Sequence, residues 1–180
     1  FESLPQGITD VNGQQLDLRK KNSWLLKLNE VETPELAEVF LVNAMAPFIM
    51  NGRLKDLLLK SPFKDRYIVN VSAMEGKFYR RKQPTHPHTN MAKAALNMMT
   101  RTSGEDYAKS GIYMTSVDTG WINDENPLEK VKAHQETQNF MTPIDEIDAA
   151  ARVVDPIFSG VEMVREGKIP PHGVFFKDYF

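Results

Sequence analysis

The strongest hydrophobic pattern in the chain lies between Arg66 and Val117. Arg66-Tyr67-Ile68-Val69-Asn70-Val71-Ser72 is rich in β-branched and aromatic residues and ends in small residues and Gly76, which predicts a buried strand. From Thr89 to about Lys109, Met91, Ala94, Ala95, Met98, Met99 and Ala108 predict a helix with a small, sulfur-rich apolar face, packed in the core or on another helix and stopped at Gly111. Ile112 to Val117 predicts the next strand. A strand, a helix and a second strand in this order form a right-handed crossover between parallel neighbours. Ligands of such sheets bind beyond the carboxyl ends of the strands, so chemistry is expected at Ser72 to Glu75 and at Asp118 to Asp124.

On the amino-terminal side, Thr33-Pro34-Glu35 predicts a helix start with an N-cap hydroxyl, proline at the first helical position and an acid in the first turn. Its apolar positions run through Leu36, Val39, Phe40, Val42 and Ala46 towards Leu59, with a kink at Pro47. Asn43 lies on or beside that apolar side, where an unpaired amide would cost about 1 to 3 kcal/mol. Residues 1–24 are expected to be irregular, with Trp24-Leu25-Leu26 docking the segment on the body. Beyond the central unit, Asn123 to Gln138 is a polar excursion. Thr142-Pro143-Ile144-Asp145 is a capping box in its aspartate variant, opening a helix that is disturbed near Pro156. Gly160 to Ile169 carries alternating signals, Pro170-Pro171 breaks the chain, and Val174-Phe175-Phe176 is a final short strand.

Composition narrows the function classes. With 180 residues, 41% hydrophobic and 26% charged, the chain suits one globular domain or part of one. A net charge of -2 supplies no bulk attraction for nucleic acid or an anionic membrane. The absence of cysteine excludes disulfides, thiolate metal sites and a cysteine nucleophile, and fits the cytoplasm or another reducing compartment. No apolar run reaches membrane-spanning length. The chain begins Phe1-Glu2-Ser3, and we expect it to be the remainder of a longer protein.

Four stretches occur in the order found in short-chain dehydrogenases/reductases. They are Val42-Asn43-Ala44-Met45-Ala46-Pro47-Phe48, Ile68 to Gly76, Thr89-Asn90-Met91-Ala92-Lys93-Ala94-Ala95, and Ser116-Val117-Asp118-Thr119-Gly120-Trp121. The chain resembles that family from about Leu25 to Val174. The resemblance implies an α/β fold: a partial Rossmann-type fold, with a parallel sheet flanked by helices, that lacks the amino-terminal dinucleotide-binding half. Residues 25–180 would then be the carboxyl-terminal half of the domain. It also implies NAD or NADP as cofactor, with Lys93, Gly120, Trp121 and Asp124 at cofactor-binding positions. Neither Gly-x-x-x-Gly-x-Gly nor Asn-Asn-Ala-Gly occurs in the sequence, so no cofactor is expected to bind the isolated chain.

In the family a tyrosine passes the proton, a lysine four residues later lowers its pKa, a serine orients the substrate and an asparagine holds a water. The resemblance therefore assigns the catalytic positions to Asn43, Lys93, Thr89 and Ala73, of which Asn43 and Lys93 match. Thr89 stands at the tyrosine position and Ala73 at the serine position. An aliphatic hydroxyl is too weak an acid for a nearby ammonium to bring towards neutrality, whereas a phenol near 10 can be brought there. Tyr79, His86 and His88 lie in the intervening loop and are candidate replacements, although a stiffened, solvated His-Pro-His loop is the preferred expectation. No metal site is expected, since two histidines one residue apart have no evident third ligand.

The sequence thus favours a degenerate, non-catalytic scaffold or regulatory unit. The alternative is an NAD(P)-dependent oxidoreductase acting on a carbonyl or alcohol through a non-standard proton donor. A homo-oligomer through the helices of Asn43 and Lys93 is a third expectation. Neither a nucleic-acid nor a membrane partner is expected, and the sequence does not specify the small-molecule substrate.

Overall fold

A computed structural model of the protein describes residues 3–9, 15–79, 81–122, 126–127 and 143–177. Its centre is a three-stranded sheet of β1 (Arg66–Ser72), β2 (Ile112–Asp118) and β3 (Val174–Phe176), in that spatial order and parallel throughout. β1 and β2 pair in register from Arg66 opposite Ile112 to Ser72 opposite Asp118, and Thr115 stands opposite Val174. The α/β architecture and all three strands follow the hydrophobic pattern, with β2 one residue longer than expected. Among the described residues β1 is an edge strand.

Successive strand residues face opposite sides of the sheet, and this sorts the helices. Asn70 reaches α2 (Ala46–Leu59) and α3 (Pro87–Ala108) by hydrogen bonds to Asn51 and Thr100. Tyr67, three positions earlier and so on the other face, lies against Gly160 of α4 (Glu146–Arg165). Helices therefore cover both faces, as a parallel sheet requires. No helix among the described residues is long and apolar enough to cross a membrane.

A chain of side-chain hydrogen bonds ties the layers together. Asn51 Nδ2 donates to Asn70 Oδ1, Asn70 Nδ2 and Ser116 Oγ donate to Thr100 Oγ1, and Thr100 donates to Leu96 O. At the opposite end of the sheet, Arg66 donates from Nε to Leu58 O at 2.8 Å and from Nη2 to Ser61 O at 3.0 Å. A guanidinium here satisfies carbonyls at the carboxyl end of α2, where the helix dipole favours a cation.

Several helix details correct the sequence expectations. Thr33 is the first residue of α1 (Thr33–Phe40), not its cap, because the carbonyl of Glu32 already accepts from Leu36 N. The helix bends its hydrogen-bond pattern before Pro47 through a π-helical segment, Leu41–Met45, and then continues as α2. A wider turn of this kind accommodates an extra residue, and it carries Asn43. α3 starts at Pro87 instead of Thr89 and buries His88, Ala92, Leu96, Thr100 and Gly104. The expected methionine face points outwards, with Met91 50% and Met98 62% exposed. Within this four-residue-spaced stripe, Ala92, Thr100 and above all Gly104, packed on the Gly173 backbone, let α3 lie close to the sheet, which methionines at those places would prevent.

The last helix also differs. Asp145, not Thr142, caps α4, its carboxylate accepting from Ile147 N at 3.0 Å and Asp148 N at 2.9 Å. Thr142 lies outside the described residues. α4 passes through the buried Pro156 without ending and continues to Arg165, so the alternating pattern expected from Gly160 is helix for six residues. Gly167, at φ 73°, then stops it, with Lys168 N donating to Met163 O.

Candidate functional site at the carboxyl edge of the sheet

At the end of β1 the chain turns through a short 3-10 segment, Met74–Gly76, which packs directly on α3. A Cβ on Gly76 would lie 2.7 Å from the carbonyl carbon and oxygen of Lys93 and 2.6 Å from Asn97 Nδ2. Only glycine permits so close an approach of turn to helix. The turn is held further by Lys82, whose ammonium donates to Glu75 O at 2.6 Å, Met74 O at 3.1 Å and Asn90 Oδ1 at 3.1 Å. Burial lowers the Lys82 pKa, and the Glu75 carboxylate opposes that shift. Motif reasoning placed Gly76 at the end of the strand but missed its close approach to α3, and it missed Lys82 altogether, because the partners are mainly backbone atoms that no side-chain pattern encodes.

Asn43 and Lys93, the two matching sequence candidates, line one cavity of about 290 Å³ between the π-helical segment, β1 and α3. Asn43 Nδ2 donates to Val39 O at 3.0 Å, and Lys93 Nζ donates to Val71 O at 3.1 Å. The Lys93 pKa is lowered, chiefly because burial penalises its ammonium, with Glu75 acting in the opposite sense. Ala73 precedes the 3-10 turn and Thr89 lies in the first turn of α3; both are half-buried, and neither lines the cavity. A larger hollow of about 480 Å³ at the amino-terminal segment is lined, among the described residues, by Ser3, Leu4, Gln6 and Gln15, none of which is titratable.

The second expected cluster sits at the end of β2. Gly120, at φ 86°, donates its N–H to Asp118 Oδ1 at 3.1 Å. Arg152 from α4 donates to Thr119 O at 3.0 Å and fills the space that a side chain on Gly120 would need. Trp121 is about half exposed at 52%, and Asp124 lies outside the described residues, as does nearly all of the polar excursion from Asn123 to Gln138. Gly120 and Trp121 do not line the cavity of Asn43 and Lys93.

The loop candidates depart from the expectation of a solvated His-Pro-His turn. His86, in the left-handed region at φ 44°, stacks on Trp24 with ring centroids 3.8 Å apart and an interplanar angle of 5°. Its N–H donates to Leu26 O at 2.8 Å, and its Nδ1 lies 2.9 Å from Trp24 O. The expected docking segment thus finds its receptor on this turn. His88 is only 3% exposed, with Nε2 3.7 Å from Glu35 Oε1 and no hydrogen bond on either ring nitrogen. Tyr79 is 71% exposed, and its hydroxyl accepts from Lys77 Nζ at 2.8 Å. Among the described residues no group of three or more His, Cys, Asp or Glu side chains could hold a metal ion.

The surroundings of His88 give a pH dependence with a definite sign. Burial lowers its pKa below the ordinary 6.5; Glu35 on α1 opposes this, while His86 at the head of α3 adds to it, and Arg19 lies within electrostatic reach of Glu35. The unfolded chain therefore binds a proton at a pH where the folded chain does not. This contribution to stability is complete above about pH 6.5 and is lost as the pH falls from there towards the folded value. The urea midpoint should fall on acidification from pH 7.5 to 5.5, and His88→Gln should flatten that slope. An unchanged slope in the variant would remove His88 as its source.

The order of the strands, the crossover helix and the two-sided helical cover are shared with solved proteins. A 4-hydroxyisoleucine dehydrogenase complexed with NADH superposes with a TM-score of 0.54 at 21% identity, over 84% of this chain and 61% of that one. A short-chain type dehydrogenase/reductase from Mycobacterium marinum gives 0.51 at 18% identity, over 62% and 43%. The chain has a short-chain dehydrogenase/reductase-like fold. No family model matches it. Uncharacterized protein R665 of Acanthamoeba polyphaga mimivirus is 34% identical over 152 residues, which are 81% of this chain and 32% of that protein. The chain therefore spans about a third of the length of the curated relative that it matches.

Proposed function

We propose that this chain is the carboxyl-terminal half of a short-chain dehydrogenase/reductase-like domain whose proton relay has been lost, and that it serves as a scaffold or regulatory unit. The observation that carries this reading is the site itself. Asn43 and Lys93 share a cavity, while the positions of the proton-transferring tyrosine and the orienting serine hold Thr89 and Ala73. Of the loop side chains that could replace a phenol, His86 stacks on Trp24, Tyr79 accepts from Lys77 and His88 is buried beside Glu35, and none of the three lines the cavity of Asn43 and Lys93.

The residues present fit no complete dinucleotide. No glycine-rich turn occurs in the sequence to hold a pyrophosphate, and Arg152 crowds Gly120 at the end of β2. Isothermal titration of the chain with NADH and NADPH should therefore give no measurable heat of binding, and micromolar binding would overturn the reading. The NADH-bound state of the 4-hydroxyisoleucine dehydrogenase favours a second reading, an oxidoreductase completed by further chain. In that longer protein, Ala73→Ser with Thr89→Tyr should create or raise carbonyl reduction if only the relay is missing.

A self-association through the helices of Asn43 and Lys93 belongs to the same proposal. Leu41, Met45, Phe48, Met91 and Met98 are each at least half exposed, forming apolar surface on the π-helical segment, α2 and α3. Sedimentation of the wild type as a dimer and of Phe48→Glu as a monomer is the expected result. A monomeric wild type at high concentration would remove this part of the reading.

A further inference from the structure

We propose that Lys93 is a nucleophilic amine that captures small aldehydes and ketones as imines in the cavity between the π-helical segment, β1 and α3. This activity needs neither nicotinamide nor a tyrosine relay, and so goes beyond the scaffold reading.

Two observations and the family resemblance support it. The walls beside Lys93 combine the apolar Val42, Pro47, Met50, Val69 and Leu96 with the amides of Asn43, Asn51 and Asn70, and the space of about 290 Å³ suits a small molecule with one polar carbonyl. Lys93 Nζ donates to a neutral carbonyl, Val71 O, and among the described residues no carboxylate lies within ion-pair distance of it, Glu75 acting from farther away. Finally, the resemblance to short-chain dehydrogenases/reductases implies that a phenol four residues before Lys93 would engage it, and here that position is Thr89. Half-buried at the cavity, Lys93 spends more of its time as the free amine, the nucleophilic form, because burial outweighs the opposing charge of Glu75, which lies beyond ion-pair distance.

The chemistry balances without an oxidant or reductant. The Nζ lone pair forms a bond to the carbonyl carbon while the C=O π pair moves to oxygen, and proton exchange with solvent gives a neutral carbinolamine. The C–O bond then breaks, the hydroxyl leaves as water after taking a proton, and nitrogen supplies the pair for a protonated C=N bond. Asn43, on the same cavity, uses one amide N–H on Val39 O. Its second N–H and its Oδ1 are suitably polar to hold the departing hydroxyl.

Reductive trapping tests this in the whole chain. The protein is exposed to limiting propanal with cyanoborohydride, which converts an imine to a stable secondary amine, and each lysine is quantified by peptide mass mapping. Lys93 should gain the propyl group about tenfold faster than the exposed Lys60, Lys64 and Lys109. Without cyanoborohydride no mass should survive denaturation, and a planar aldehyde too large for the cavity should lose the preference for Lys93. Lys93→Arg should abolish the fast labelling and leave the slow sites unchanged. Labelling of Lys93 at or below the rate of the three exposed lysines would overturn the proposal, as would a mass retained without reductant. NADH titration is a separate readout, so failure here leaves the scaffold reading to its own test.

Discussion

Gly104→Ala should destabilise the fold by about 3 kcal/mol, because the added methyl group has no side chain to push aside. Its Cβ would stand 2.4 Å from both the Cα and N of Gly173 and 3.4 Å from the carbonyl carbon of His172, all of them backbone atoms. Gly173 is fixed in turn: its N–H donates to Met114 O at 2.8 Å, its carbonyl accepts from Arg101 Nη1 at 3.2 Å, and its φ of 61° suits few other residues. Relief would require α3 to move off the sheet, lengthening the bonds of Thr100 to Asn70 and Ser116. Gly52→Ala is the matched control. It lies in helix α2 with nothing within 4 Å of an added Cβ, and should raise stability by about 0.5 to 1 kcal/mol. Urea unfolding of the two variants measures both effects, and a wild-type midpoint for Gly104→Ala would show that α3 is not held where the contacts place it.

The contrast between these two glycines shows what the sequence could and could not convey. The strands were legible because a β-branched run states its own burial, and β1, β2 and β3 fall within one residue of the expected bounds. The face of α3 was not, since Met91, Ala95 and Met98 have a helical spacing as good as that of His88, Ala92, Leu96, Thr100 and Gly104. Hydropathy favours the methionine stripe, but close packing of Gly104 against Gly173 and the demand of Asn70 for the Thr100 hydroxyl favour the other one. Helix starts failed by a similar route. Thr33 and Thr142 are good caps in isolation, yet the carbonyl of Glu32 and the carboxylate of Asp145 take those places.

The site was legible in half its parts. Asn43 and Lys93 could be found because their order along the chain resembles a known arrangement, and the fold brings them to one cavity. The immediate setting of that cavity was hidden. The turn that carries Glu75 is fixed by the missing Cβ of Gly76 and by the ammonium of Lys82 on backbone carbonyls. His88 was misjudged for another reason: histidine between prolines and polar neighbours suggests solvent, whereas its position in the stripe at His88, Ala92 and Leu96 turns it inward.

Asn70→Leu should cost about 2 to 4 kcal/mol even though leucine is nearly the same size and the site is buried. Asn70 is 6% exposed and serves as the link between helices and strand, accepting from Asn51 Nδ2 at 2.9 Å and donating to Thr100 Oγ1 at 2.9 Å. The hydroxyl of Thr100 is saturated, with one donated bond to Leu96 O and two accepted from Asn70 and Ser116. Leucine would strip one of these and leave the Asn51 amide facing an apolar side chain. Losing a buried partner costs more than making the bond gains, so the penalty comes from the groups left behind. For that reason Asn51→Leu combined with Asn70→Leu should cost clearly less than the sum of the single changes, a coupling that a double-mutant cycle in urea reads directly. Strict additivity would mean that the two amides do not act as a pair. Both also line the cavity that holds Asn43 and Lys93. Breaking their bond should therefore loosen α2 against β1, and faster hydrogen exchange at Val69 and Asn70 should report it.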